Sequence, residues 1–283
     1  MFVQHNTLNA TKQYFTEKLK ERFSASEIRY MFQLLSEERL KKTRTELLLE
    51  GDNRLSESDL LYFRSAAHKL LEDIPFQHIL GYTYFYDLKI KCDGRALVPR
   101  PETEELVHWI LEDYGHADTI LDICTGTGCI ALALKDKRST AIVEGWDIST
   151  DALALAKSNA SDLNLAVDFK QVDALNTELA PQSWTVIVSN PPYIPVSEKQ
   201  LMDKTVTEHD PDLALFVPDN DPLLFYRALG NLAVNGLKNG GALYLEIHED
   251  FGPQTVELLE SLGFKAELKQ DMQGKDRMIK AIK

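Results

Sequence analysis

The fold class is set by the stretch Thr119-Ile120-Leu121-Asp122-Ile123-Cys124-Thr125-Gly126-Thr127-Gly128-Cys129. Its first five residues are mostly apolar and predict a buried β-strand, and a helical pattern at 130–135 follows the glycines. Two glycines at a strand-to-helix turn allow the backbone to approach a ligand closely, and the helix N-terminus supplies unpaired N–H groups. A small polar ligand is therefore expected at this turn.

Strand and helix patterns alternate through most of the chain beyond residue 76. The predicted strands are 119–123, 141–147, 167–172, 184–189 and 242–247, and the predicted helices are 130–135, 151–163, 222–233 and 253–262. Such alternation predicts an α/β doubly wound sheet. Two short strand-like runs at 264–269 and 277–282 are expected to add an antiparallel edge.

The first 75 residues have a different pattern, which is helical. Apolar side chains recur at helical spacing after Ser24, and Glu27 completes a capping box with that serine. Ser56 and Asp59 repeat the arrangement before a second apolar run. We therefore predict three parts: a small helical domain at 1–75, a connecting hairpin or linker at 76–97, and the α/β domain at 98–283.

Composition argues against several classes of protein. The 283 residues are 44% hydrophobic with a mean hydropathy of −0.25, and no apolar run reaches the roughly 18 residues needed to span a bilayer. The N-terminal region lacks the apolar core of a secretory signal, and the three cysteines form no CxxC pair. A cytoplasmic protein without membrane association, disulfide framework or metal site is expected.

The charge is unevenly distributed along the chain. Residues 1–75 carry 12 Lys or Arg and 12 Asp or Glu, so the net charge of −13 lies entirely in residues 76–283. The average field of this larger part repels a phosphate backbone. Direct binding of nucleic acid is therefore disfavoured.

Three aspartates stand where predicted strands meet the turns that follow them. Asp147 ends the second strand, where a carboxylate can accept both ribose hydroxyl protons of an adenosine cofactor or can cap the next helix. Asp122 precedes the glycine turn, where a carboxylate disfavours a pyrophosphate but favours the cationic groups of S-adenosylmethionine. Asp173 can accept the adenine amino hydrogens or serve as a turn residue.

The tetrapeptide Asn190-Pro191-Pro192-Tyr193 follows the predicted strand at 184–189, where a parallel sheet delivers its strand ends to a ligand crevice. Two prolines remove two N–H donors and fix two φ angles, leaving a stiff turn with free carbonyls. The Asn190 side-chain oxygen and the Pro191 carbonyl can each accept one hydrogen of a planar NH2 group, and the Tyr193 ring can cover its flat face. The tetrapeptide is thus a candidate active site, with an ordinary turn as the alternative interpretation.

These residues together resemble the protein-(glutamine-N5) methyltransferases that modify peptide chain release factors, the PrmC/HemK family. The resemblance also covers Phe76-Gln77-His78-Ile79-Leu80-Gly81, Val98-Pro99-Arg100-Pro101-Glu102-Thr103-Glu104, Leu121 to Gly128, Asp147-Ile148-Ser149 with Ala152 and Asn159, and Gly274-Lys275-Asp276-Arg277. It implies a Rossmann-like, seven-stranded class I methyltransferase domain, preceded by a helical domain that helps to bind the release factor.

The resemblance further implies a substrate and a cofactor. The implied methyl acceptor is the glutamine amide in the Gly-Gly-Gln motif of class I peptide chain release factors, which act in translation termination. The implied cofactor is S-adenosylmethionine, with S-adenosylhomocysteine as product.

Site residues are assigned by position in the same resemblance. The implied cofactor-binding residues are Asp122, Cys124, Thr125, Gly126, Thr127, Gly128, Asp147, Asp173, Ala174 and Asn190. The implied catalytic residues are Asn190, Pro191 and Tyr193, and the glutamine is expected to contact these three and Pro192. Cys124 and His248 stand where glycine is frequent in the family. Ala174 replaces a common aromatic, which weakens the expected stacking on adenine.

An amide nitrogen is a poor nucleophile because its lone pair is delocalised into the C–N bond. The enzyme is therefore expected to position the amide rather than deprotonate it, and the tetrapeptide offers acceptors but no His or Lys. Arg100 and Glu102 are expected either to shape the loop over the cofactor or to form a surface ion pair.

Three other functions stay open at this point. A nucleic-acid adenine-N6 methyltransferase needs the same acceptors for an exocyclic amino group, although the acidic α/β part disfavours it. An NAD-dependent dehydrogenase would use Gly126-x-Gly128-x-x-Ala131 as a dinucleotide fingerprint but leaves Asn190 to Tyr193 unexplained. In a non-enzymatic binding module, the helical domain would dock a partner and the α/β part would be vestigial.

Overall fold

The computed structural model describes residues 6–283, and the chain divides into two compact units. The smaller unit contains the chain through Gly81 together with Lys204–His209. The larger unit contains Tyr82–Asp203 and Asp210–Lys283. Whether they act as the separate domains expected from the sequence stays a prediction.

The smaller unit is helical, as predicted for the N-terminal part of the chain. Its helices are α1 (Leu8–Leu19), α2 (Ala25–Leu40), α3 (Arg44–Leu49), α4 (Glu57–Leu71) and α5 (Phe76–Leu80), with a short helix at Lys204–Thr207. The predicted capping box begins α2: Ser24 Oγ accepts from the Glu27 N–H at 3.3 Å, and Glu27 Oε2 accepts from the Ser24 N–H at 2.8 Å. Phe32 stacks on Phe63 with ring centroids 5.0 Å apart, which joins α2 to α4.

The larger unit is built on a seven-stranded sheet. In chain order the strands of the whole unit are β1 (Tyr82–Phe85), β2 (Leu88–Lys91), β3 (Thr119–Ile123), β4 (Ile142–Asp147), β5 (Asp168–Gln171), β6 (Trp184–Ser189), β7 (Ile194–Pro195), β8 (Phe216–Val217), β9 (Leu237–Glu246), β10 (Lys265–Gln270) and β11 (Asp276–Ile282). The main sheet has the order β10-β11-β9-β6-β3-β4-β5, in which β11 is antiparallel to both neighbours and the other pairs are parallel. The predicted doubly wound sheet with an antiparallel edge is confirmed.

Helices cover both faces of this sheet. The helices of this unit are α6 (Pro101–Asp113), α7 (Cys129–Lys137), α8 (Thr150–Leu163), α10 (Asp212–Leu215), α11 (Leu224–Gly236) and α12 (Gly252–Ser261), with 3₁₀ turns at Val196–Leu201 and Glu249–Phe251; the number α9 belongs to the short Lys204–Thr207 helix of the smaller unit. Ile120 and Val186 belong to one buried apolar cluster, whereas Leu121 and Ile187 belong to the other. Strands buried on both faces have nearly continuous apolar sequences, which made β3 and β6 predictable.

β9 begins earlier than the sequence predicted. It starts at Leu237 rather than at residue 242, and its register against β6 is irregular between Trp184 and Val186. Residues 238–241 are Lys-Asn-Gly-Gly, a composition typical of a turn, and Gly240 has a φ of +76°. The first half of the strand therefore lacks a strand-like sequence.

No helix within residues 6–283 has the length and apolar content that crossing a membrane requires. In the same part of the chain, His, Cys, Asp and Glu side chains form no group of three or more that could hold a metal ion.

Candidate active site

β3 and β6 lie side by side in the sheet, with Ile123 opposite Ser189 in the parallel register. The chain continues from β3 to β4 on one side and returns to β6 on the other, so the strand order reverses between β3 and β6. Ligands of open α/β sheets bind at such switch points, beyond the carboxyl ends of the strands. The glycine turn after β3 and Asn190 after β6 therefore meet at the same edge of the sheet.

A cavity opens at this edge. Eight of the ten predicted cofactor-binding residues line it, namely Cys124, Thr125, Gly126, Thr127, Asp147, Asp173, Ala174 and Asn190. Pro192 of the predicted glutamine site also lines the cavity, whereas Pro191 and Tyr193 do not. Asp122 and Gly128 are likewise not among the lining residues, so their expected link to a ligand is indirect in this structure.

The two glycines of the turn after β3 adopt backbone conformations that favour glycine, as the sequence suggested. Gly126 and Gly128 have φ angles of +53° and +81°, in the left-handed region that glycine adopts without strain. A Cβ atom at Gly128 would lie 3.0 Å from Phe169 Cζ, whereas one at Gly126 would have only the Ala96 Cβ nearby, at 3.7 Å. Gly128 is therefore required for packing as well as for backbone geometry. Cys124 also has a positive φ, +62°, and as a residue with a Cβ it is strained there.

Asp147 ends β4 and connects two neighbouring turns. Its Oδ2 accepts from the Gly126 N–H and its Oδ1 from the Ser149 N–H, each at 2.9 Å. The N-cap of α8 is Ser149, whose hydroxyl accepts from the Ala152 N–H at 3.2 Å, so Asp147 does not itself cap that helix. Burial raises the pKa of Asp147 above its ordinary value. Each carboxylate oxygen keeps a lone pair that can accept a ligand hydroxyl.

Asp122 is fully buried behind the glycine turn. Its Oδ2 accepts from the Thr125 hydroxyl at 2.6 Å and from the Ala131 N–H at 3.2 Å, which fixes the turn to the start of α7. Its Oδ1 has no hydrogen-bond partner among the described residues. Burial is the main cause that raises the pKa of Asp122 to about 7. The direct contact with a cationic ligand that the sequence suggested is replaced here by support of the turn.

Asp173 lines the cavity and also forms a turn. Its Oδ1 accepts from the Leu175 N–H at 2.9 Å, and its Oδ2 accepts from the Asn176 side-chain amide at 2.7 Å. Beside it, Ala174 is buried, while Ile148 and Leu175 line the cavity with partly exposed side chains. Neither Ile148 nor Leu175 was among the predicted site residues, because an isolated apolar residue in a loop carries no pattern.

Asn190 belongs to a hydrogen-bonded chain that crosses three elements. Its Nδ2 donates to Thr103 Oγ1 at 3.2 Å, and the Thr103 hydroxyl donates to Glu246 Oε2 at 2.6 Å. Thr103 lies in the first turn of α6, and Glu246 is the last residue of β9. Both are buried. The sequence did not indicate either residue as functional, since they are 143 positions apart.

Tyr193 is connected to the same carboxylate. Its hydroxyl donates to Glu246 Oε1 at 3.1 Å, and its ring meets the His248 ring edge-on with centroids 6.1 Å apart. Burial, and then the charge of Glu246, raise the pKa of the Tyr193 hydroxyl far above its ordinary value, so it stays a donor. The ring is thus held by Glu246 and His248, outside the cavity lining.

The carboxyl group of Glu246 lies in a buried position. Burial raises the pKa of Glu246, whereas the hydrogen bonds from Thr103 and Tyr193 and the charge of Arg277 act in the opposite direction. Arg277 is held in place by Asp271, whose Oδ2 lies 3.1 Å from its Nε. The motif Gly274-Lys275-Asp276-Arg277 therefore contributes a cation that favours the ionised form of Glu246.

Arg100 and Glu102 have separate partners. Arg100 lines the cavity, and its Nη2 lies 3.7 Å from Asp210 Oδ2. Glu102 Oε1 accepts from the Gln273 side-chain amide at 3.2 Å. The alternative of an Arg100–Glu102 surface pair is therefore not the arrangement in the structure.

Comparison with known proteins identifies the class of protein to which this chain belongs. Residues 102–209 match the model of the family described as "Methyltransferase small domain", and residues 11–81 match that of "PrmC N-terminal domain". The crystal structure of a methyltransferase from Pyrococcus furiosus superposes on this chain with a TM-score of 0.51 and 18% sequence identity. The match includes 69% of this chain and 88% of the P. furiosus chain, and it shows a likeness of fold alone. The sheet order and the site at its switch point thus define a Rossmann-like, class I methyltransferase fold with a helical N-terminal region.

Curated relatives are similar over nearly the whole chain. A release factor glutamine methyltransferase of Flavobacterium psychrophilum is 42% identical over 94% of this chain and 95% of its own length. One of Bacteroides thetaiotaomicron is 34% identical over 97% of this chain and 99% of its own length. The chain belongs to the release factor glutamine methyltransferase family.

Proposed function

We propose that this protein transfers a methyl group from S-adenosylmethionine to the side-chain amide nitrogen of the glutamine in the Gly-Gly-Gln motif of peptide chain release factors. The name of the curated relatives and their coverage of nearly the whole chain support this activity. The acceptor pair at Asn190 and Pro191 is the feature of the chain that best fits an amide substrate.

The cavity residues fit S-adenosylmethionine. Asp147 offers lone pairs for the ribose hydroxyls, the turn from Thr125 to Gly128 allows close approach, and Ile148 and Leu175 offer apolar surface for adenine. These two side chains can provide the contact that the absent aromatic at Ala174 would otherwise give. When bound, S-adenosylmethionine supplies an electrophilic methyl group on a cationic sulfonium.

The buried carboxyl of Asp122 also suits a cationic ligand. Its Oδ1 has no partner among the described residues, and it lies directly behind the turn that lines the cavity. A positive charge in the cavity lowers the free energy of the ionised carboxylate. We therefore assign Asp122 a supporting electrostatic role and a structural one.

The residues around Asn190 act by positioning the substrate. With Nδ2 bound to Thr103, the Asn190 Oδ1 can accept one hydrogen of a glutamine NH2 group, and the Pro191 carbonyl can accept the other. Holding both hydrogens in the amide plane directs the nitrogen π lobe out of that plane, toward the methyl donor. Correct positioning of reactants supplies about 7–11 kcal/mol of a reaction barrier, which makes it the dominant contribution here.

No dedicated general base is needed. The residues of the described chain that line the cavity include no His or Lys, and its two cations, Arg95 and Arg100, carry guanidinium groups that only donate hydrogen bonds. The N-methylated amide formed by transfer is at first a cation that still carries both of its hydrogens; it is a strong acid and loses one of these protons to water.

Partners and location follow from this substrate. With a release factor as partner, the proposed location is the cytoplasm, and the N-terminal helical part is proposed to help bind that partner. The competing adenine-N6 methyltransferase activity requires nucleic acid near a unit that carries the whole net charge of −13. That charge favours a protein substrate.

The deciding experiment measures transfer of labelled methyl groups to three acceptors. These are a purified release factor, the same factor with the Gly-Gly-Gln glutamine changed to alanine, and duplex DNA or RNA. We expect label only on the unmodified factor. Label on nucleic acid, or on the factor lacking that glutamine, would reject the proposed substrate.

A further inference from the structure

An asparagine side chain has two chemically different ends. Oδ1 accepts hydrogen bonds and Nδ2 donates them, although the two ends have nearly the same shape. A substrate NH2 group brings two donors, so it can be held by Oδ1 but is repelled by Nδ2. The function of Asn190 proposed above therefore depends on which end of its amide faces the substrate.

Glu246 determines which groups donate and which accept in the hydrogen bonds around Asn190. The Thr103 hydroxyl donates its single proton to Glu246 Oε2 at 2.6 Å, a distance typical of a charge-assisted bond to a carboxylate. The Thr103 oxygen can then only accept from its other neighbour. Asn190 satisfies it with Nδ2 at 3.2 Å, which leaves Oδ1 for a ligand.

The same carboxylate also fixes the far end of the tetrapeptide. Glu246 Oε1 accepts from the Tyr193 hydroxyl at 3.1 Å, so Glu246 holds the last residue of the tetrapeptide directly and the first residue, Asn190, through Thr103. Glu246 and Thr103 are each only 2% exposed, which keeps water from offering competing donors and acceptors. Arg277, in the strand paired with β9, and the two hydrogen bonds act to lower the pKa of Glu246 against the larger effect of burial.

We infer that Glu246 and Thr103 are positioning residues for the methyl transfer: Glu246 acts through Thr103 to keep the Asn190 oxygen, rather than its NH2 group, directed at the substrate amide. The inference rests on the proposed function and extends it from the residues that touch the substrate to those that orient them. It also gives a role to Thr103 in the Pro-Arg-Pro-Glu-Thr-Glu motif and to the late Arg277.

The test compares two substitutions at Thr103. Thr103→Val keeps the shape but removes the hydroxyl, whereas Thr103→Ser keeps the hydroxyl. With a release factor as substrate, we expect Thr103→Val to lower kcat at least about tenfold with cofactor affinity unchanged, since a wrongly oriented amide loses a buried acceptor. Thr103→Ser is expected to stay within about threefold of wild-type kcat.

A double-mutant cycle separates orientation from general damage. Asn190→Asp places an acceptor at both ends of the side chain, so its orientation no longer matters. Thr103→Val is therefore expected to cost much less kcat in the Asn190→Asp background than in the wild-type background. An equal cost in both backgrounds would mean that Thr103 serves only the structure and would overturn the inference.

A measurement on the protein without substrate gives independent evidence. In ¹⁵N-labelled wild-type protein, the Asn190 carboxamide resonance, identified by its loss in Asn190→Ala, is expected to show one hydrogen-bonded, slowly exchanging proton. That protection should persist in Thr103→Ser and disappear in Thr103→Val. Its absence from the wild type would overturn the inference even if Thr103→Val does not fold.

The failure of the proposed function has a different signature. Wild-type protein that methylates no release factor would reject the function and the inference together. Wild-type protein that is active, with Thr103→Val as active as Thr103→Ser, would reject the inference alone.

Discussion

The carboxylate of Asp147 accepts the Gly126 N–H at 2.9 Å, so the acid that ends β4 fixes the glycine turn that follows β3. Its other oxygen accepts the Ser149 N–H at the start of α8. One side chain thus orients two turns that border the cavity, while its remaining lone pairs stay available to a ligand. A ribose would meet a site whose geometry is already set, which limits the entropy lost on binding.

Asp147→Ala is expected to raise the KM for S-adenosylmethionine roughly ten- to a hundredfold and to change kcat little at saturating cofactor. The reason is that contacts with the ribose are the same before and during transfer, so their loss weakens binding uniformly. Initial rates at varied cofactor concentration, together with calorimetric affinities, measure both effects. Glu178→Ala, which removes an exposed acid in a loop, is the charge-matched control. An unchanged KM in Asp147→Ala would contradict the assignment.

Asp122→Asn is expected to stabilise the protein without ligand at alkaline pH. Burial raises the pKa of Asp122 to about 7, so the folded state binds its proton more tightly than the unfolded state does. The stability that the protonated Asp122 carboxyl contributes is therefore lost as pH rises from about 4 toward 7. Above pH 7 the folded state carries the full free-energy cost of a buried carboxylate. Removing the charge should raise the free energy of unfolding at pH 8 by up to about 4 kcal/mol, with a smaller gain at pH 5.

Urea denaturation of both proteins at pH 5 and pH 8 measures this difference. The same substitution should weaken binding of S-adenosylmethionine more than that of S-adenosylhomocysteine, because only the former carries the sulfonium charge. An equal gain in stability at both pH values would show that the buried carboxyl does not titrate in this range.

Gly128→Ala and Gly126→Ala form a matched pair in one turn. A Cβ at Gly128 would lie 3.0 Å from Phe169 Cζ and 3.2 Å from the Ala156 Cβ, in addition to the strain of its φ of +81°. We expect Gly128→Ala to destabilise the fold by about 2–4 kcal/mol, from overpacking and left-handed strain together. A Cβ at Gly126 would have no neighbour closer than the Ala96 Cβ at 3.7 Å, so Gly126→Ala should destabilise the fold by only about 1–2 kcal/mol. Gly126→Ala should still weaken cofactor binding, since Gly126 lines the cavity.

Chemical denaturation and cofactor titration of the two variants provide the comparison. Equal losses of stability would mean that packing around Phe169 does not limit this turn. Unchanged cofactor affinity in Gly126→Ala would mean that the ligand does not approach the turn closely.

The strands of the sheet were predictable because burial on both faces leaves a strong sequence signal. The predicted strand at 184–189 coincides with β6, and that at 119–123 with β3. The start of β9 was not predictable, because Gly240 and Gly241 interrupt its pattern. The capping box of Thr43 and Glu46 at the start of α3 has the same form as that of Ser24, but α3 has only 6 residues and so lacks the apolar periodicity that predicts a helix.

The candidate site was predictable only in part. A topological rule brings Asn190 beside the glycine turn once the strand order is known. The sheet face on which Asp122 lies follows from strand alternation, which places it with Ile120 and not with Leu121. The connection from Glu246 through Thr103 to Asn190 depends on the register of β9 and on the placement of α6, neither of which a single sequence contains.

Asn190→Ala is expected to retain cofactor binding and to lose most turnover. Asn190 Oδ1 is one of two proposed acceptors for the substrate NH2 group, and a buried donor left without its acceptor costs about 1–3 kcal/mol, or roughly five- to 150-fold in rate. The loss should appear in kcat, because a misdirected amide binds but does not present its nitrogen to the methyl donor. Equilibrium binding of labelled cofactor and single-turnover transfer to a release factor separate the two steps. Since Asn190 also lines the cavity, a loss confined to cofactor affinity, with near wild-type single-turnover transfer, would assign it to the cofactor and would leave the amide held by Pro191 alone.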